Sequence, residues 1–503
     1  MKLNIFKVSS GQLPGLVNKF KKSGLNEVGA STQDGWQGQF YFSTTPDPVI
    51  VSWVEQFSGL IGEGEFKNRA YFGAMIFTRE KAAFVVTFGK AHFYARPFCD
   101  FDFGIELAKR IADKADIRQT SSRRFQGNQR KDIRSFVENS QLNVVPGSSV
   151  EFLQARIREN LRPHFGKAGK FGSSCLLVVQ VDSNGIGEIL SQIQTQLGEA
   201  PAFELPHTIV LSDPEEIASL DQALVNSIMG NGSEAPSEVV GQSFDLYGVD
   251  FVFGGNGTVT LKSGYSSSQF LENLSIEDVR AFVSENEISA DKILDISVQH
   301  HTEDGRQYSQ RLRQSVDFVS GDEYVALSAG RWLRFNEDYI QALDKALDEI
   351  EVEETEPAYK QIAGSESSFN LALAANGYEV ADKDFTIAQI SANTQVEAWD
   401  LRRGDTVYAV KFGEPPKLNY VVDQASIVIS LIHADGLKEK LPSFGKYCLW
   451  LGYEAVGSIA KVSDSRSIIL KQKIEEWARQ CRDAGIDPVI KLSHKAKVSK
   501  RRR

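Results

Sequence analysis

Residues 69–95, RAYFGAMIFTREKAAFVVTFGKAHFYA, constrain the fold more than any other stretch of this chain. Two runs rich in Phe, Val and Tyr flank a polar break at 78–81, and β-branched and aromatic side chains fit the pleated surface of a sheet. The run predicts consecutive antiparallel strands joined by a turn. Residues 2–8, KLNIFKV, alternate like another strand, while LPGLVNKFKKSGL and DFGIELAKRIAD have helical spacing. An α+β domain over residues 1–150 accounts for these signals.

At 503 residues the chain exceeds what one core can fill, and division at ~100–200 residues per domain predicts two to four units. The next segment, 151–240, reads as α/β. It opens with VEFLQARIRENL (150–161), read as a basic helix, and continues with an apolar strand SCLLVVQV (174–181) and the turn and helix of DSNGIGEILSQIQTQLG. Gly185 and Gly187 lack the third glycine of a dinucleotide fingerprint, so a helix capped by Asp182 or Ser183 is the expected structure there. Residues 227–238, SIMGNGSEAPSE, mark a boundary or a long loop. A middle α+β domain follows over 241–357, with a Gly-Asn-Gly turn, a strand-turn-strand-helix run from 322 to 350 and an acidic linker, EVEETEP. The C-terminal domain runs over 358–503.

The formal net charge of −10 is unevenly distributed. Residues 118–170 carry eleven Lys or Arg against four acids, residues 337–357 nine acids against one Lys, and residues 482–503 eight basic against two acidic residues. Local charge therefore says more about partners than the total. Cys99, Cys175, Cys448 and Cys481 lie far apart with no C-x-x-C pair, which predicts buried thiols rather than a zinc site or a disulfide framework. The seven histidines include no H-E-x-x-H, and the adjacent His300 and His301 would point to opposite faces of one strand. No apolar run reaches the ~18 residues of a membrane helix, and no secretion signal opens the sequence, so a cytoplasmic protein is expected.

Several blocks occur in a telling order: FVVTFGKAHFYARPFCDFDFGIELAKRI, IRQTSSRR, YVALSAGRWLRFNEDYIQAL, ESSFNLALAANGYEVAD, and VEAWDL followed by YAVKFG. Together they resemble a bacterial family described only as sporadically distributed. That resemblance implies placement on mobile islands beside restriction-modification and phage-defence genes, without implying a reaction. Glu397, Asp400, Leu401 and Lys411 match the family's pattern, whereas Ala409 stands where it often has His and Trp399 where it has Cys.

The C-terminal order of parts is similar to restriction-endonuclease-like domains. In those, a helix bearing an acid precedes a hairpin whose first strand supplies Asp and whose second supplies Asp/Glu-x-Lys, and a following helix adds Gln. Glu366, at the start of a helix-like segment, Asp400 and Lys411 on the two arms, and Gln424 on a helix take those places. The resemblance implies Mg²⁺ held by Asp400 and Glu366, with Lys411 polarising the attacking water or the phosphate. Ala409, two residues before Lys411, cannot ligate a metal. Glu397 lies three residues before Asp400 and so faces the other side of a regular strand. Asp382 or Asp384 could supply the second carboxylate instead. The plain alternative is a hairpin whose acids pair with Arg402 or Arg403 in water.

Residues 117–136, IRQTSSRRFQGNQRKDIRSF, interleave Arg118, Arg123, Arg124, Arg130, Lys131 and Arg134 with amides, hydroxyls and two Phe. Guanidinium forks suit phosphate oxygens and an aromatic ring can stack on a base, so nucleic acid, DNA before RNA, is the expected partner. The reading of the whole is a nucleic-acid-binding protein of bacterial anti-phage defence, homo-oligomeric and nuclease-like at its C-terminus. Its rival is a non-enzymatic sensor or scaffold whose charged segments dock a neighbouring defence protein, at a membrane or free of one.

Overall fold

A computed structural model describes residues 1–46, 48–51, 54, 56–62, 64, 66–125, 130–136, 142, 144–230, 257–271, 274–302, 307–316, 318–320, 324–328, 330–362, 366–381, 388–391, 394–396, 398–433, 443–455 and 459–496. Helices and largely antiparallel sheets are arranged in several packed units, an α+β architecture.

The N-terminal unit is built on a ten-stranded sheet in the order Asn26–Gln33, Trp36–Phe42, Gly73–Arg79, Ala82–Phe88, Lys2–Val8, Cys175–Val178, Ala168–Phe171, Ser149–Ile157, Ala112–Arg124, Arg130–Ser135. All its pairings are antiparallel, and the expected hairpin is present, with Phe77 opposite Phe84. Its central strands are buried on both faces. Leu3 and Ile5 join the core formed with the Phe103–Ile111 and Ile186–Gly198 helices, while Phe6 and Val8 join that of the Leu13–Lys22 and Ala91–Ala95 helices.

Two expectations fail here. The break at residue 150 falls inside this sheet, which continues to Val178. VEFLQARIRENL is not a helix but the Ser149–Ile157 strand followed by a short 3-10 turn. Register shifts at Val150/Phe152, Gln154/Ala155 and Ala155/Ile157 interrupt the period of two. Buried Val150, Leu153 and Ile157 consequently fall at i, i+3 and i+7, the spacing of a helix face. The glycines of the 182–187 turn serve packing: the Gly187 N–H donates to Gln33 Oε1, and a Cβ at Gly187 would stand 2.4 Å from Gln33 O. The helix they open begins at Ile186, and Asp182 Oδ1 accepts from Asn184 and Gly185 N–H before it starts.

The middle unit packs the Pro214–Ile228 and Ile276–Glu285 helices on two four-stranded antiparallel sheets. Most of the 227–238 stretch and the Gly-Asn-Gly turn lie outside the described residues. His300 and His301 sit on the Ser297–Thr302 strand, His300 buried and His301 Nε2 3.0 Å from Thr260 Oγ1. All four cysteines are free and buried.

The C-terminal sheet has the order Glu351–Glu353, Asp487–Ala496, Lys446–Ala455, Thr406–Gly413, Leu401–Arg403, Glu379–Val380. Its first four strands run parallel to one another and the last two extend it as an antiparallel meander. The Glu366–Ala374 helix precedes the meander, the Pro415–His433 helix crosses from Thr406–Gly413 to Lys446–Ala455, and Ile468–Asp483 crosses to Asp487–Ala496. The boundary expected at 357 also moves. The Glu337–Asp348 helix buries Tyr339, Leu343 and Leu347 in the C-terminal core, and the supposed acidic linker supplies an edge strand of this sheet.

Candidate active site

The hairpin at residues 401–413 turns through Gly404, at φ +61°, and Asp405. Its arms are unequal. Leu401–Arg403 pairs with Tyr408, Val407 and Thr406, and Asp400 N–H still donates to Tyr408 O at 2.9 Å. Beyond that point no strand among the described residues pairs with this side of the eight-residue arm Thr406–Gly413, while its other edge pairs along its length with Lys446–Ala455. Buried backbone N–H groups left by the short arm need acceptors.

Two carboxylates supply them. Asp400 Oδ2 accepts from Val410 N–H at 2.6 Å, and Glu366 Oε1 accepts from Phe412 N–H at 3.1 Å. Glu366 Oε2 accepts from Lys411 Nζ at 2.9 Å, and the side chains of both residues remain 30% exposed. Asp400, which lies just ahead of the first strand, is half-buried. The two acids are thus anchored two residues apart on one strand edge, ~7 Å along it, with Lys411 between them in sequence. Phe369 holds the Glu366 helix in place, its ring 4.9 Å from that of Phe412 and 5.0 Å from that of Trp450.

Ala409 is buried in the core with Val421, Val422 and Ala425, so an acid at that position would be buried too. Gln424 is half-buried on the Pro415–His433 helix. Glu397, Asp382 and Asp384 lie outside the described residues. Among the described residues no group of three or more His, Cys, Asp or Glu side chains is placed to share a metal. Asn370, one helical turn beyond Glu366, was not singled out by the sequence. It is 1% exposed, and its Oδ1 has no hydrogen-bond partner among the described residues. A lone Asn inside the apolar run of FNLALA is the signal that could have found it.

The basic segment divides between buried and exposed positions. Arg118 pairs with Asp116 at 2.9 Å, and Arg123 pairs with Glu151 at 2.9 Å and donates to Ser328 Oγ at 2.6 Å. Arg124 is 4% exposed, 3.5 Å from both Glu475 and Glu476 on the Ile468–Asp483 helix. In this arrangement its guanidinium joins the N-terminal sheet to the C-terminal unit. Arg130, Lys131 and Arg134 belong to the edge strand Arg130–Ser135, where Arg134 is exposed.

A second charged cluster lies in the C-terminal sheet. The Lys491 ammonium, fully buried over the Trp450 ring, is 2.6 Å from Glu353 and 2.9 Å from Glu356. Tyr408 donates to Glu353, and Tyr378 to Glu356. Burial works against both charged forms. Yet hydrogen bonds to the two acids hold Lys491 above the ordinary lysine range, and Lys491 helps to bring Glu356 below the ordinary carboxylate range. Each charge has an opposite partner here, so the cluster fastens the acidic strand to the sheet.

Sequence comparison places the chain in a known family, with the match running over residues 16–442. The chain belongs to DUF6119, a family of unknown function. The family match includes Glu366, Asp400, Lys411 and Gln424 and stops ahead of the Lys446–Ala455 strand. No curated protein and no solved structure matches the chain. Among the described residues no helix is long and apolar enough to cross a membrane.

Proposed function

We propose that the C-terminal unit of this DUF6119 member is a restriction-endonuclease-like domain that acts on nucleic acid. The observation that carries the reading is the meeting of Glu366, Asp400 and Lys411 at one strand end, from a helix and two hairpin arms. The order of elements supports it: a helix, an antiparallel three-stranded meander, a crossover helix and a parallel strand.

Mg²⁺ takes oxygen ligands and is commonly held by one or two carboxylates together with substrate phosphates, so the missing acid at 409 does not exclude it. Asp400 and Glu366, both partly exposed side chains that each accept a strand N–H, carry carboxylate oxygens of that kind. A bound cation would neutralise phosphate charge and acidify a water. Lys411, oriented by Glu366, offers a positive charge beside the scissile phosphate. Arg134, with Arg130 and Lys131 on the same edge strand, is the part of the basic segment suited to gripping phosphates. DNA as the target and anti-phage defence as the setting follow from the resemblance described above.

A second reading, a non-enzymatic sensor or scaffold, is favoured by one observation. Both carboxylates already cap strand N–H groups, a structural role that needs no metal. Purified protein incubated with single- and double-stranded DNA and RNA, with Mg²⁺, Mn²⁺ or chelator, separates the two. The nuclease reading expects metal-dependent cleavage that falls ~10²–10⁴-fold in Lys411→Ala and is lost in Asp400→Ala. Salt-sensitive binding without cleavage would favour the sensor, and no binding at low salt would refute both nucleic-acid readings.

A further inference from the structure

The ten-stranded sheet ends on two strands that would receive an incoming chain differently. Asn26–Gln33 carries a register shift between Glu27 and Gly29, a bulge of the kind that spoils further pairing. Arg130–Ser135 pairs with Ala112–Arg124 along its whole length without a shift, and among the described residues no strand pairs with its outer side. The ladder fixes which groups face outward. Phe136 N–H donates to Arg118 O at 2.9 Å, so by the alternation of an antiparallel pair Arg134 and Asp132 also turn their backbone groups inward, toward Ala112–Arg124. Lys131, Ile133 and Ser135 therefore present N–H and C=O to the outer side. Ile133, at the centre of that row, is 64% exposed.

An antiparallel junction of this strand with its own copy has a two-fold axis through one residue, and the choice of residue decides the charges. With the axis at Lys131, Asp132 or Arg134, that residue opposes its own like charge. With the axis at Ile133, the two isoleucines exchange both backbone hydrogen bonds, and each Asp132 stands opposite Arg134 of the second copy. Opposite charges facing each other across a strand pair stabilise it and like charges destabilise it, so the sequence selects this register.

We propose that the Arg130–Ser135 edge joins a second copy of this chain, with Ile133 on the two-fold axis, making one sheet continuous through two molecules. The inference does not rest on the nuclease-like reading. Each strand carries three basic residues and one acid, so the joined ribbon stays positively charged outside its ion pairs. That surplus opposes the joining and the edge is short, so a reversible dimer with a Kd of ~1–100 μM is expected.

Sedimentation of the full chain over a concentration series reads the dimer. Asp132→Arg and Arg134→Asp each turn both cross-strand ion pairs into like-charge pairs and should weaken association ~10–100-fold. Mixing the two variants restores opposite charges at both places and should recover the dimer. The native cysteines are buried, and Cα atoms of a hydrogen-bonded pair stand ~5.5 Å apart, within disulfide range, so Ile133→Cys should yield a disulfide-linked dimer on mild oxidation. Wild-type protein that stays monomeric throughout that range would overturn the inference, as would a dimer that survives both charge reversals or variants whose mixture does not associate. Should Asp132→Arg not fold, an unchanged dimer in Arg134→Asp or the absence of cross-linking in Ile133→Cys would overturn it.

Discussion

Arg124→Met tests whether the basic segment is built for binding or for assembly. The substitution keeps the apolar stem and removes a guanidinium that stands 3.5 Å from both Glu475 and Glu476 and donates to Ser148 Oγ at 3.1 Å. Breaking a buried ion pair by removing one partner costs ~3–5 kcal/mol. The two carboxylate contacts are long, which puts the expected loss near the lower end, ~3 kcal/mol at pH 7. Burial already raises the Glu475 carboxyl, and Arg124 opposes that rise, so the variant's Glu475 should take up a proton more readily. A carboxyl raised in the folded state gives stability that is complete below its unfolded value and is lost as pH rises through the folded one. The deficit of Arg124→Met should therefore be largest at neutral pH and shrink toward the ordinary carboxylate range, ~4.3. Urea unfolding followed by tryptophan fluorescence at several pH values measures this. Exposed Arg134→Ala is the control, expected within ~0.5 kcal/mol of wild type. Wild-type stability in Arg124→Met, or a deficit independent of pH, would refute the reasoning.

Other expectations follow from the same structure. Lys491→Met should cost ~3 kcal/mol in the C-terminal unit by leaving Glu353 and Glu356 facing each other, and adding Glu353→Gln and Glu356→Gln should recover most of it in the same denaturation assay. Asp102, whose carboxyl is pushed up to about 6, chiefly by burial, should withdraw stability as pH rises from ~4 to ~6. Against Asp102→Asn, the wild type should lose on the order of 2 kcal/mol across that window, measured by pH-dependent melting.

The sequence made some of this architecture readable because some segments act locally. The 69–95 hairpin, the Glu366 helix and the strand bearing Lys411 each follow from spacing within a few residues. The charged segments were harder, because their partners are remote. Arg124 and Glu475 are 351 residues apart, and nothing near Arg124 shows that it will be buried. The acidic stretch after Asp348 resembles a solvated linker until Lys446 and Lys491 are brought beside Glu351 and Glu353. At the candidate site, Glu366 and Lys411 were legible as types in order. The unequal hairpin arms that turn Asp400 and Glu366 toward neighbouring N–H groups were not, since arm length is set by where pairing stops.

The position of the Asp487–Ala496 strand bears on how the C-terminal unit assembles. It lies between Lys446–Ala455 and Glu351–Glu353, and its Lys491 meets a Glu353 that is 138 residues earlier. Closing so long a loop is entropically slow compared with zipping a hairpin. Until this strand arrives, two edges stand open to any extended chain, including that of another molecule. The 401–413 hairpin needs no such closure, so Asp400 and Lys411 can be brought together before the sheet that will hold them is sealed.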